Sequence, residues 1–80
     1  MQKGVMLSDI AYAQSLIGKD VKYYVDQDWR KIRVVDFDLV ILDHAPALMI
    51  YYKKYDRNNF LAEWIESDVC DISEIRYDNE

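Results

Sequence analysis

The sequence predicts an α+β domain, with one N-terminal helix packed on a curved antiparallel sheet of four or five strands. Three observations carry this reading. Residues 29–55, WRKIRVVDFDLVILDHAPALMIYYKKY, hold two runs rich in β-branched and aromatic residues, 29–42 and 47–55, around the break Asp43-His44-Ala45-Pro46. Such runs read as strands, and the short break reads as the loop of an antiparallel hairpin. Residues 8–17 carry the punctuation of a helix, and residues 20–26 alternate between apolar and polar. The first run of the hairpin is also too long for one straight strand. Its fourteen residues would span roughly 46 Å, whereas a compact chain of this length is roughly 30 Å across. The side chains say where it bends. Ile32 and Val34 alternate with Arg33, but Val35, Phe37, Leu39 and Ile41 alternate with Asp36 and Asp38. The apolar set changes parity, as a bulge at Val34-Val35 would produce. A long bent strand shared by two sheet faces implies a small, strongly curved barrel. Phe37, Leu39, Ile41, Met49 and Ile50 are its expected core.

Taken in order, a short tail over residues 1–5 leads into the helix expected over 8–17. Ser8 is placed to cap it, Asp9 suits its positive end, and Gly18 closes it in the left-handed conformation. Met6, Ile10, Ala13 and Ile17 form one apolar stripe, and Leu7 is placed to staple onto Tyr12. A helix of about ten residues is marginal alone and needs the sheet. Val21, Tyr23 and Val25 mark a half-buried strand, and Asp26-Gln27-Asp28 is a polar turn. Asp56-Arg57-Asn58-Asn59 is another. The segment 60–67 fits both helical spacing and a strand buried on two faces. Ser67 to Asp71 reads as a turn, and Ile72, Ile75 and Tyr77 as a short last strand. The whole is expected to be one domain, 1–80, with a barrel-like sheet over 20–77.

Eighty residues with 51% apolar content, two Gly and one Pro form a globular chain with a modest core. The single cysteine, Cys70, excludes an intrachain disulfide and a four-cysteine zinc site. No run approaches 18 apolar residues, and residues 1–14 lack an apolar leader core, so no membrane segment and a cytoplasmic location are expected. The net charge of −5 is unevenly placed. Residues 1–55 balance to +1, while residues 56–80 carry two Arg against eight acids, a balance of −6. Overall acidity argues against direct nucleic-acid binding and for docking on a basic protein surface.

Chemistry is thinly represented. His44 is the lone histidine, there is no threonine, and two glycines make no phosphate loop. One His, one Cys and scattered Asp give no ligand spacing, so neither a metal nor another cofactor is expected, and no catalytic residue. The seven Tyr and two Trp stand out. They suit either core packing with a wet hydroxyl or a protein-binding hot spot. Glu63, Glu66, Asp68, Asp71, Glu74 and Asp78 recur every two to five residues with Arg76 as the only base among them. They are expected to form an acidic face, against the plainer reading of a solvated surface.

Val21-Lys22-Tyr23 followed by Asp28-Trp29-Arg30-Lys31-Ile32-Arg33-Val34 resembles the opening hairpin of Tudor-type SH3-like barrels. Ile50-Tyr51-Tyr52, the Asn58-Asn59 turn and Glu63-Trp64-Ile65 are similar to later strands of the chromo-barrel variant, with Ile75-Arg76 closing. The resemblance covers 20–77. Arg30 stands where a second aromatic is common, and the helix at 8–17 is additional. The resemblance implies an aromatic cage for a methylated cation built from Tyr23, Trp29, Tyr52 and Tyr55. Small acidic Tyr-rich domains also resemble phage and mobile-element inhibitors of nucleic-acid enzymes, anti-CRISPR proteins among them. The leading expectation is therefore a non-catalytic inhibitor or adaptor that docks on a basic surface of another protein. A recognition module for a modified peptide is the alternative.

Overall fold

The computed structural model describes residues 5–77. Helix α1 (Leu7–Ser15) is followed by strands β1 (Asp20–Val25), β2 (Asp28–Leu42), β3 (Ala45–Lys54) and β4 (Glu66–Cys70). A 3-10 turn (Ile72–Glu74) and strand β5 (Ile75–Arg76) complete the described chain. The strands form one antiparallel sheet in the order β4-β3-β2-β1-β5. An α+β architecture is thus present, but the sheet is not closed. β4 bonds only to β3 and β5 only to β1, so the expected barrel is an open sheet with two edges. No helix among the described residues is long and apolar enough to cross a membrane.

Both long hairpins turn on two residues with positive φ. These are Asp26 and Gln27 (φ 56° and 63°) and Asp43 and His44 (φ 48° and 66°). Two positive-φ residues match the right-handed twist of the flanking strands, which is why so tight a reversal holds the register. The β2–β3 ladder slips once. Val34 faces Tyr52 and Asp36 faces Tyr51, leaving Val35 unopposed where the sequence changes parity. Before the slip β2 also pairs with β1. At the slip its edge is taken by the turn that follows the helix, Gly18 N–H donating to the Val34 carbonyl (2.9 Å) and Val34 N–H to that of Lys19 (3.0 Å). Beyond Leu48, the β2–β3 hairpin continues as a two-stranded ribbon, and the molecule is 40 Å long against 26 and 21 Å across.

That ribbon corrects the expected core. Ile50 is fully buried, Phe37 and Met49 are partly buried, but Leu39 and Ile41 are exposed although they share the face of Ile50. The apolar alternation simply outruns the sheet and helix that could cover it. Pro46 sits in this ribbon, where a missing N–H is tolerated.

The core lies between α1 and one face of the sheet. It is built from Ala13, Leu16, Val21, Tyr23, Ile32, Val34, Leu48, Ile50, Tyr52, Cys70 and Ile75. The helix begins one residue before the expected span. Met6 rather than Ser8 is the cap, its N–H donating to the Asp9 carboxylate at 3.1 Å. It ends at Ser15, short of Ile17, so the stripe drawn through Met6 and Ile17 does not form and Leu16 is buried instead. Leu7 and Tyr12 are both exposed and staple nothing. Gly18 takes the expected left-handed conformation, at φ 83°, but lies in the turn beyond the helix, whose C-cap is Leu16. Residues 67–70, expected as a turn, belong to β4.

Candidate functional site

The four aromatics expected to share a cage are divided by the sheet. Tyr23 and Tyr52 are buried on the inner face with rings edge-to-face, 5.2 Å between centroids. The Tyr52 hydroxyl donates to Asp68 Oδ2 at 2.7 Å, and that of Tyr23 lies 3.5 Å from the same oxygen. Burial, with the neighbouring Asp68 charge, pushes both phenols well above their ordinary value of 10.0, so both stay neutral donors. Trp29 and Tyr55 lie toward the other face. Trp29 packs on Tyr24 with centroids 5.4 Å apart, and the Arg76 guanidinium lies 4.2 Å over its ring. The Tyr55 hydroxyl donates to Asp20 at 2.9 Å and accepts from Arg33 Nη2 at 3.0 Å, while Lys31 sits 4.4 Å over its ring. Arg33 also holds the Asp20 carboxyl below the usual carboxylate value. No open cage assembles, because register sends residues 23 and 52 inward and residue 29 outward.

The acidic row is also dispersed, and Glu66, Asp68, Asp71 and Glu74 each have a local partner. Asp68 faces Ile50 across the β3–β4 ladder and so points inward to the tyrosines. Asp71 caps the 3-10 turn, accepting from Ser73 N–H at 3.0 Å, and Glu74 reaches back to Asp71 N–H at 2.9 Å. Glu66 meets Lys54 Nζ and the Trp64 indole N–H, both at 3.4 Å. Glu63 is exposed, and Asp78 lies outside the described residues. What survives of the expected face is Glu63 with Glu66, at the end of one loop.

That loop, residues 56–65, is neither helix nor strand, and it is pinned. The Asp56 carboxylate accepts from Asn58 N–H (2.8 Å) and Phe60 N–H (2.9 Å), and Asp56 N–H donates to the Phe60 carbonyl (2.9 Å). Asn59 takes φ 67° and accepts from Lys31 Nζ at 3.2 Å. Ala62 N–H bonds the Lys54 carbonyl, and Leu61 bridges Tyr55. On this framework Phe60 is 69% exposed, Trp64 66% and Ile65 53%. Their spacing suggested a core-facing element. The Asp-x-Asn-Asn turn before them was the available sign that the chain leaves regular structure here.

Cys70 is in the core, and burial pushes its thiol up to about 12, which keeps it protonated at neutral pH. His44 forms the tip of the β2–β3 turn. Comparison of the chain with known protein families, with curated proteins and with solved structures finds no match.

Proposed function

We propose that this chain is a non-catalytic protein-binding domain, an inhibitor or adaptor that contacts its partner through the loop ending at Glu66. The observation that carries this is the display of Phe60, Trp64 and Ile65 on a hydrogen-bonded loop. Large apolar side chains left mostly in water on a fixed backbone contribute little to the stability of the free chain. A partner that buries them gains hydrophobic area and loses little conformational freedom in doing so. Trp is enriched among residues that dominate interface energy. Glu63 and Glu66 beside them suit a partner cleft that is apolar at its centre and basic at its rim, and such rim charges mainly set association rate. The finer SH3-like reading of the fold is supported by the return of β5 to pair with β1, although the open edge at β4 departs from it.

The test begins with capture from the native cell on wild-type protein and on a Phe60→Ala/Trp64→Ala variant. The retained partner is then purified and titrated against both. The variant should lose affinity by about thirtyfold or more, the equivalent of roughly 2 kcal/mol at a hot spot. Its thermal midpoint should hardly change. Equal affinity of variant and wild type for the purified partner refutes the reading.

A further inference from the structure

The outer face of the sheet is charged against the trend of the chain. Strand register places Arg76, Lys22 and Lys31 side by side across β5, β1 and β2. In the next row Asp20, Arg33 and Lys53 lie across β1, β2 and β3. These two rows hold five cations around one carboxylate, on a chain whose net charge is −5, while Asp36 and Asp38 follow on the same face beyond the bulge. Three directly opposed pairs are like-charged: Lys22 with Lys31, Lys22 with Arg76, and Arg33 with Lys53. Like charges directly opposite each other destabilise a sheet, and Asp20 and the neighbouring rings offset this for Arg33, Arg76 and Lys31 but not for Lys22 and Lys53. Asp20 is engaged by Arg33 and Tyr55, and among the described residues Lys22 and Lys53 make no ion pair. Meanwhile Glu66 and Asp68 of β4 lie on the inner face, opposite Tyr52 and Ile50. Exposed charges are screened beyond about 8 Å in physiological salt, so the local excess of cations outweighs the acidity of the whole chain.

Aromatic rings stand among these cations. Arg76 covers Trp29, which packs on Tyr24, and Lys31 covers Tyr55. Trp29 and Tyr55 also line a cleft of about 540 Å³ at the end of the cationic rows, whose walls carry Lys31 together with the carboxylates Asp26, Asp28 and Asp56. Arginine guanidinium groups and aromatic rings are surfaces on which nucleobases stack, and single-strand binders combine them with cations that follow the phosphates.

We propose that this outer face binds single-stranded nucleic acid. Lys22, Lys31 and Lys53 meet phosphates, and bases stack on the layer formed by Arg76 and Trp29. The expectation from bulk charge, that the chain makes no direct contact with nucleic acid, is revised here because folding separates the charges that a simple count adds together. An acidic protein segment would satisfy the cations but would leave the stacked layer unused, which is why nucleic acid is favoured. This face meets the start of the loop, where Lys31 donates to Asn59, but it uses neither Phe60 nor Trp64, so substitutions there and at Lys22 and Lys53 test the two readings separately.

Fluorescence anisotropy with a labelled oligodeoxythymidylate of about twenty nucleotides tests the proposal. Binding should be saturable at about 50 mM salt and weaken as salt rises, with a log–log slope near −2 to −3 for three or four neutralised phosphates. Lys22→Ala/Lys53→Ala should weaken it about tenfold or more. Arg76→Lys keeps the charge and removes the plane, and should weaken it about fivefold. The thermal midpoint of Lys22→Ala/Lys53→Ala should hold or rise as like-charge pairs are removed; a fall would overturn the premise that these cations oppose one another. Absence of saturable binding, or binding indifferent to the lysine substitutions, would overturn the proposal. So would equal binding of polyglutamate of similar length, which would assign the face to an acidic protein.

Discussion

Replacing Tyr52 by Phe removes one oxygen from a buried arrangement in which two phenols share one carboxylate. The Tyr52 hydroxyl lies 2.7 Å from Asp68 Oδ2 and that of Tyr23 3.5 Å from it, so the two bonds are unequal. A hydrogen bond to an ionised group contributes about 1.5–3 kcal/mol, and one stretched to the distance limit much less. Tyr52→Phe should therefore cost about 2 kcal/mol and Tyr23→Phe under about 1 kcal/mol. For eighty residues, total stability is on the order of 4–12 kcal/mol, so the first loss is easily measured. The double variant should cost more than the sum, because Asp68 then loses its second donor as well as its first. Urea melts of the four proteins give the cycle. A second signature is alkaline. Both phenols are raised above 10.0 in the folded state. A group raised on folding contributes stability that is fully present below its unfolded value and declines as pH climbs from there toward its folded value. Stability should thus fall above pH 10.0, less steeply in Tyr52→Phe. Equal costs for the two single variants, or strict additivity, would refute the unequal sharing of Asp68.

Other expectations follow from burial, backbone and charge. Ile50→Ala, at a fully buried site, should cost about 2–5 kcal/mol in a urea melt, whereas Leu39→Ala should cost about 1 kcal/mol because Leu39 is already 49% exposed. Gly18→Ala should lower stability by about 1–2 kcal/mol; φ is 83° and no atom crowds the site, so the loss is conformational and an unchanged thermal midpoint would contradict it. Asp20 has a folded pKa below 3.8, so its contribution is present above that value and is lost as pH falls through the folded one. Urea midpoints across the acid range should accordingly be flatter for Asp20→Asn, and an identical acid limb would show that the Arg33 bond contributes nothing.

How far the chain could be read depended on whether local pattern and burial agreed. The bulge was readable because Val35 makes the apolar set change parity, and that residue is unopposed between Val34 and Asp36. The hairpin and Gly18 were readable for similarly local reasons. Strand β4 was not, because its inward positions hold the half-buried Glu66 and Asp68, and two carboxylates there erase the apolar alternation that marks a strand. Leu39 and Ile41 misled in the opposite sense, since alternation records which way a side chain points and not whether anything lies above it. For the site, residue type identified the aromatics but not their faces. Register separates Tyr23 and Tyr52 from Trp29, and a loop fastened by Asp56 brings Phe60 and Trp64 to the surface.

An open sheet has a liability that a closed one lacks, since an unpaired edge is a template on which a second molecule can add a strand. β5 offers only two residues, too few to seed a ladder, but β4 offers five in a row. A charged side chain on the inner face of an edge strand is a known safeguard, because an incoming strand would have to bury it beside its own residues. Glu66 and Asp68 occupy those positions. The carboxylate that fastens two tyrosines in the folded chain therefore also discourages polymerisation along that edge, and protects solubility where the fold leaves it exposed.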